Sequence, residues 1–484
     1  MTFRLIWLIG FFFCPLVSGG QNFPMDRIRY QNQLFTHHLH HHPFLLQKDQ
    51  PTFYEAKLGF RTRSGIREQP FDTQQINQGY FRSASVMKIG SWMTAGTFNY
   101  HKTLKSVRPY LLQTSAWDNI PYRLMDKDTQ AWSGDEVDFR LTFTSPEYGR
   151  TKTLQTIGAL SYKVGTHSRN AEPRPLARIS QYTIRAGQSI KVLPQTSLGA
   201  GIQIVSGQEE NHIGAFAVQD VQIYQGRGWG TYTLNTYQSF QRTQKLQGID
   251  GFLYLHYQKE NVKAFTEVTF KNRSYEARDG VAFPVNGGTS KMTGLSWIAG
   301  IGMKLQGSKK LESIVTFDSD KLLGTDPIFS AINVENKSYK ISWENLGSLG
   351  PKGAWQLRLQ LQTQLNKSED FAAGEVVDVR INTVEAAVLK SLTLGSTQLY
   401  INPLLKVWNA YSDMDFDESN ELSRLLLGSQ QAFYSRSFLE PALNLKCKLP
   451  IMKENQIFFE STYSHRLSSS YPLRELSLSI QLLF

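Results

Sequence analysis

Trp355-Gln356-Leu357-Arg358-Leu359-Gln360-Leu361-Gln362-Thr363-Gln364-Leu365-Asn366 alternates in polarity. Odd positions are apolar apart from Thr363, and every even position is an amide or arginine. Successive side chains of a β-strand point to opposite faces, so this stretch reads as a strand with one greasy and one polar side. Val137, Phe139, Leu141 and Phe143 alternate in the same way with Asp138, Arg140, Thr142 and Thr144. Val262, Ala264, Val268 and Phe270 alternate with Lys263, Glu267, Thr269 and Lys271. The chain finishes with Leu476, Leu478, Ile480, Leu482 and Phe484 on one face and Ser477, Ser479 and Gln481 on the other.

A soluble β-sandwich also alternates, and three features separate the two readings. The alternating runs are commonly about 10–14 residues, whereas strands of soluble proteins average about 5–6. Short and long connections follow one another along the chain, as turns and loops do in a barrel that crosses a membrane. The last residue is an aromatic ending an amphipathic strand. Lipid offers the backbone no hydrogen-bond partner, so a spanning sheet must close on itself, apolar face outward and polar face to the lumen. The expectation is all-β: a single closed antiparallel transmembrane β-barrel of about 20 strands (range 18–22). Because only half of each strand meets lipid, a mean hydropathy of −0.34 is compatible with it.

Strands are expected from near 53–62 to near 473–484, and those between 206 and 261 fall near 213–223, 228–242 and 248–258. Long external loops are expected near 104–133, 165–174, 275–290, 320–335 and 412–435. Periplasmic turns are expected near Pro146, Gly307, Gly350, Gly395 and Pro450, where proline and glycine suit chain reversal. Trp92, Trp297, Trp343, Trp355 and Trp408 lie on strands and suit interfacial girdles.

Residues 1–20 have the layout of a secretory signal peptide. Arg4 precedes the apolar run Leu5–Phe13, and Ser18-Gly19-Gly20 supplies small residues before Gln21. Cys14 lies inside the apolar run, after Phe12-Phe13 in place of a small-residue pair, which disfavours lipidation. Cys447 then stands alone, so no intramolecular disulfide holds the mature chain. Residues 21–52 are expected to form a His-rich periplasmic tail or a lumen plug, and 53–484 the barrel. The net charge of +11 is spread without a Lys/Arg run, so nucleic-acid binding has little support. A basic rim would suit lipopolysaccharide; a basic lumen would favour anions.

Five of the ten histidines, His37, His38, His40, His41 and His42, cluster in the tail. Imidazole is a good transition-metal ligand, and His37/His41 or His38/His42 would share a helix face, so a metal site is one reading. A polar tail without metal is the other, because no cysteine or carboxylate partner is near. Asp413, Asp415 and Asp417 resemble the start of a calcium loop, but Glu418 stands where the turn glycine belongs and Arg424 where the bidentate glutamate belongs. A solvated acidic loop is the alternative. Inward charges such as Asp138, Arg140, Lys263, Glu267 and Arg358 would line the lumen. No nucleophile–base arrangement is recognisable, so a barrel hydrolase is the least favoured class and no enzyme is expected.

The signal region leading into Gln21, the strand pattern and terminal Phe484 together make the chain similar in layout to an uncharacterised outer-membrane β-barrel family of Bacteroidota, often encoded beside TonB-dependent receptors. The ending resembles the signal read by the barrel assembly machinery, with Leu476, Leu478, Ile480, Leu482 and Phe484 as its residues. The resemblance implies a Gram-negative outer-membrane location, contact with lipid and lipopolysaccharide, and a transport-associated role accessory to nutrient or metal uptake. A TonB-dependent receptor or surface lipoprotein is the implied partner. The alternative is a structural barrel subunit of a receptor, secretion or assembly complex. The tail is too short for the globular plug of a complete energised receptor.

Overall fold

The computed structural model describes residues 42–46, 52–65, 74–114, 120–214, 221–237, 239–280, 283–305, 309–349, 355–394, 397–450, 456–468 and 472–483. The expected signal peptide, His37, His38, His40, His41, the turns near Gly307, Gly350 and Gly395, and Phe484 lie outside the described residues.

The strands are β1 (Phe53–Ser64), β2 (Gln75–Ile89), β3 (Trp92–Leu111), β4 (Leu124–Thr144), β5 (Leu154–Arg169), β6 (Arg174–Leu193), β7 (Thr196–Gly214), β8 (Val221–Gly226), β9 (Tyr232–Tyr237) and β10 (Ser239–Lys259). They continue as β11 (Val262–Asp279), β12 (Val285–Lys304), β13 (Lys310–Thr325), β14 (Ile332–Leu349), β15 (Trp355–Asp370), β16 (Glu375–Leu394), β17 (Thr397–Asp415), β18 (Ser437–Pro450), β19 (Gln456–Arg466) and β20 (Leu473–Leu483).

Each strand from β1 to β7 pairs antiparallel with the next, β7 pairs with β10, and the meander runs on to β20. Leu58 opposite Ile480 and Phe60 opposite Leu478 join β1 to β20, which closes the sheet. The wall is therefore a closed antiparallel barrel of 18 strands, slightly below the expected 20. The difference lies in one connection. Segments near 213–223 and 228–242, expected to be wall strands, instead complete β7, begin β10 and form between them the hairpin β8–β9. Six residues in each arm are too few to span, since a tilted crossing strand needs about 9–11.

Alternation sets the faces as expected. Leu58, Leu253, Phe270 and Leu478 are at least half exposed on the outside. The intervening Asp250, Phe252, Glu267 and Gln481 point inward and are buried. Wall strands reach 21 residues in β4 and β10, longer than the expected 10–14, because they continue past the apolar band at one end. Some chain reversals at that loop end are long, such as the one between β17 and β18. At the other, the turn end, β1 begins, β20 ends and reversals such as Gly90-Ser91 and Pro194-Gln195 are tight. No helix among the described residues is long and apolar enough to cross a membrane, which says nothing of strands.

Trp92, Trp297, Trp343 and Trp355 lie on the outer face. Trp408 departs from the expected girdle. Its β17 position faces inward, where it is buried and stacked on Phe438 at 4.9 Å beside Phe433. Residues 421–434, a run of short helical turns, fold onto this face, so an aromatic there is covered by protein rather than lipid.

Candidate functional site

The lumen is occupied at both ends by parts of the same chain. At the turn end, Pro43–Leu45 form one 3-10 turn inside the barrel, and Phe44, Leu45 and Leu46 are buried among inward apolar side chains of many strands, Val86, Ile314 and Phe458 among them. Phe44 stacks on Tyr254 at 4.5 Å and meets Phe265 at 5.7 Å. The adjacent strand β7 accommodates the β10 rings because it carries Gly199 and Gly201 beside them, where a Cβ would overlap Tyr254 and Phe252. Polar contacts fix the orientation. Thr144 donates its hydroxyl to the Pro43 carbonyl (2.8 Å), and the His42 Nδ1 lies 3.2 Å from Glu267, which also takes Arg185 at 2.5 Å.

At the loop end, three segments reach inward and meet. The first lies between β3 and β4, and of it residues 112–114 and 120–123 are described, the latter reaching across to other strands. There the Tyr122 hydroxyl lies 3.1 Å from the Thr289 carbonyl and 2.8 Å from that of Thr325, at the tops of β12 and β13. Arg242 and Gln244 donate to the Tyr122 carbonyl, and Arg242 also forms a two-pronged pair with Asp279 (2.6 and 2.7 Å). Burial, with Asp326 and Asp370 nearby, pushes the Tyr122 phenol well above its ordinary range, so it stays a donor.

The second segment is the β8–β9 hairpin. Its tip, Gly226-Arg227-Gly228-Trp229-Gly230, docks against the tops of β14, β15 and β16. One oxygen of the buried Asp370 carboxylate accepts from the backbone nitrogens of Trp229 (2.8 Å), Gly230 (3.1 Å) and Thr231 (3.2 Å) and from the Thr231 hydroxyl (2.6 Å). Its other oxygen accepts from the nitrogens of Ala372 and Ala373. A carboxylate so surrounded satisfies several N–H groups at once, which are charge-assisted bonds of above-average strength. Such close approach requires glycine. A Cβ on Gly228 would overlap Asp370, and one on Gly230 would overlap Glu375. The Trp229 indole donates to Asn336 (3.1 Å), Arg123 of the first segment lies over its ring, and Arg227 pairs with Asp326 at 3.1 Å.

The third segment, residues 416–436, closes the arrangement. Asn420 donates to the Gly230 carbonyl (2.9 Å), and Glu421 takes Lys127 at 2.8 Å and the Tyr224 hydroxyl at 2.9 Å. Hydrogen bonds from Lys127 and then Tyr224 hold the Glu421 carboxyl below its usual range.

Two cavities flank these elements. One of about 980 Å³ opens at the loop end beside the hairpin, lined by Arg169, His212, Tyr237, Phe240 and Arg242 among others. The other, about 460 Å³, lies inside the barrel along the wall above His42, lined by Arg185, Glu267, Lys340, Gln360 and Gln362 among others.

The expected lumen charges Arg140, Asp138, Glu267 and Arg358 do face inward, in pairs such as Arg358–Glu344 at 2.6 Å. Asp413 and Asp415 are exposed on the outer face at the top of β17. Asp417 caps its own turn, accepting from the Ser419 hydroxyl (2.6 Å) and nitrogen (2.9 Å), which hold its carboxyl below the usual range. Among the described residues no three His, Cys, Asp or Glu side chains come together as a metal site. Leu476, Leu478 and Ile480 are exposed on the outside of β20, and Leu482 shares their face. Ser464 and His465 are neighbours on β19 and so point to opposite faces.

Sequence reasoning missed the hairpin tip and Asp370. The available signal was three glycines within residues 226–230 between two six-residue arms, punctuation that marks a turn. Its partner on another strand leaves no local trace.

No curated protein matches the chain. Among solved structures, the ferric yersiniabactin uptake receptor FyuA of Yersinia pestis is similar at TM-score 0.38 and 9% identity, over 90% of this chain and 81% of that one. The alcaligin outer-membrane receptor FauA of Bordetella pertussis is similar at TM-score 0.42 and 7% identity, over 90% and 77%. The unliganded ferric citrate transporter FecA is similar at TM-score 0.44 and 8% identity, over 90% and 79%. The model of a family of unknown function, DUF6850, matches residues 43–484, from the first residue of the lumen turn to the end of the chain, and the protein belongs to that family.

Proposed function

We propose that the protein is a gated barrel of the Gram-negative outer membrane, with a transport-associated role accessory to nutrient or metal uptake. The observation that carries this reading is the lumen itself. The lumen is occupied at both ends, and at the loop end the segments that fill it are held by hydrogen bonds and ion pairs beside apolar clusters, polar contacts that can be exchanged for water or solute. Single-channel recording in planar bilayers tests it. The intact chain should conduct rarely, and deleting residues 227–231 should raise the open probability. A wide, steady conductance in the intact chain, or silence in both proteins, counts against gating.

A second reading is a subunit that binds a TonB-dependent receptor or surface lipoprotein. Phe283, Val285, Ile328, Phe329, Ile332 and Phe371 are more than half exposed on or next to three successive loop-end connections, an apolar group that suits a partner protein. Stoichiometric co-purification from native membranes supports it, and purification of the barrel alone opposes it.

Two sequence readings belong to the same proposal. Phe484 acts with Leu476, Leu478, Ile480 and Leu482 as the signal for the assembly machinery, so Phe484→Lys should lower the amount of heat-modifiable folded protein. The His37–His42 cluster holds a transition metal, so replacing its five histidines by alanine should remove metal measured by elemental analysis.

A further inference from the structure

The inward face of β15 runs from the turn end to Asp370 and is built largely of side-chain amides. Arg358 on this face pairs with Glu344 (2.6 Å), and Asn366 accepts from the Ser338 hydroxyl (2.8 Å). Between them stand Gln360, Gln362 and Gln364, half-buried. Their amides have no hydrogen-bond partner among the described residues. Each offers both a donor and an acceptor to the lumen. Gln360 and Gln362 line the inner cavity above His42.

The spacing of these amides selects a ligand. Alternate residues of a strand are about 6.6–6.8 Å apart, so successive glutamines repeat at that distance. An extended peptide has the same two-residue repeat, and every second peptide unit of such a chain would meet one amide in register. The head of the same face already binds backbone. Asp370 takes three consecutive main-chain nitrogens at the bend of the hairpin, Trp229, Gly230 and Thr231, so this end of the face bonds main chain. At the height of the glutamines, the inward positions on either side include Thr316, Lys340, Ser342, Thr383 and Glu385. The aromatic at this height, Trp408 of β17, is buried and stacked on Phe438, so it offers no free face to a sugar ring.

We propose that β15 is a track for an extended oligopeptide, with Gln360, Gln362 and Gln364 as successive hydrogen-bonding stations. The hairpin tip occupies the head of the track and must leave it for a ligand to enter. This rests on the gated-passage reading, because the track is useful only if the tip can leave.

The test is calorimetric titration of the full chain in detergent with the neutral decapeptide (Ser-Gly)5, and separately with maltohexaose. Trp229→Ala, which loosens the tip, should bind the peptide more tightly than the natural protein. Adding Gln360→Ala, Gln362→Ala and Gln364→Ala should weaken it at least about ten-fold, as expected for three neutral hydrogen bonds. Heat-modifiable gel mobility establishes that each protein is folded. Should the triple change fail to fold, Gln362→Met, which keeps the volume and removes the amide, should weaken binding about three-fold. Unchanged affinity in the glutamine variants, no peptide binding by Trp229→Ala, or glutamine-dependent binding of maltohexaose alone would overturn the track. Bilayer recordings separate this outcome from the parent reading. Gating without peptide binding removes only the track, whereas glutamine-dependent peptide binding without conductance removes only the gated passage.

Discussion

The two ends of the lumen are obstructed by different physics. The turn end is an apolar socket, where Phe44 stacks on Tyr254 and Leu45 and Leu46 are buried among side chains of the wall. Burial of this kind is non-directional and contributes about 1.5–3 kcal/mol for each large side chain. The loop end has apolar clusters of its own, Leu112, Leu124, Ile213 and Ile223 among them, and adds a set of directed contacts in which Asp370, Tyr122 and Glu421 each join segments far apart in the chain. Directed contacts fix one arrangement and fail together when a shared partner is lost. Under the proposed gating, the socket is the anchor and the loop end the lid.

The contrast can be broken most strongly at Asp370. Asp370→Ala leaves three hairpin nitrogens, the Thr231 hydroxyl and the nitrogens of Ala372 and Ala373 without their acceptor, at about 1–3 kcal/mol for each group that stays buried. The hairpin should release. Limited proteolysis near Arg227 should accelerate by orders of magnitude while the barrel keeps its heat-modifiable mobility. Continued protection of Arg227 would mean that the tip is held by something other than Asp370.

Phe44→Ala should weaken docking of the turn-end segment by about 3 kcal/mol, the usual scale for removing a buried ring. Hydrogen exchange at residues 44–46 should rise, with no change at the hairpin. Simultaneous loosening at both ends would show that the two closures are coupled, against the separation drawn above. Tyr122→Phe removes the donor to two carbonyls at a cost of about 1–2 kcal/mol. It should free residues 120–123 without releasing the hairpin tip, read by the same exchange measurement.

The smallest effect is expected at Glu421, which is exposed. Because its carboxyl is held below the ordinary range, its contacts with Lys127 and Tyr224 contribute fully above the unfolded value of about 4.3. They are lost as the pH falls through the lower folded value. Exchange at residues 420–424 should rise on acidification through that window, and Glu421→Gln should abolish the step. A step that persists in the variant would assign it to another carboxylate.

How much of this was legible depends on the range of the interaction. The alternation of Trp355–Asn366 is local, and it gave the faces of β15, including the inward glutamines. It could not place Trp408, since β17 reads as amphipathic on either face until residues 421–434 are known to cover one of them. It also could not separate a wall strand from a lumen hairpin near residue 223. Both carry period-two patterning, and only the short arms and the glycine-rich tip distinguished them. The candidate site was less legible than the wall because Asp370 meets Trp229 across 141 positions of sequence and Tyr122 meets Thr325 across 203.

The sequence by itself determined a closed antiparallel barrel and which side chains face out, because the lack of backbone partners in lipid and the two-residue strand period act at every position. Only the tertiary structure decided what fills the lumen. Loops reach across a closed wall to partners set by diameter and strand register, and the spacing of residues along the chain records neither.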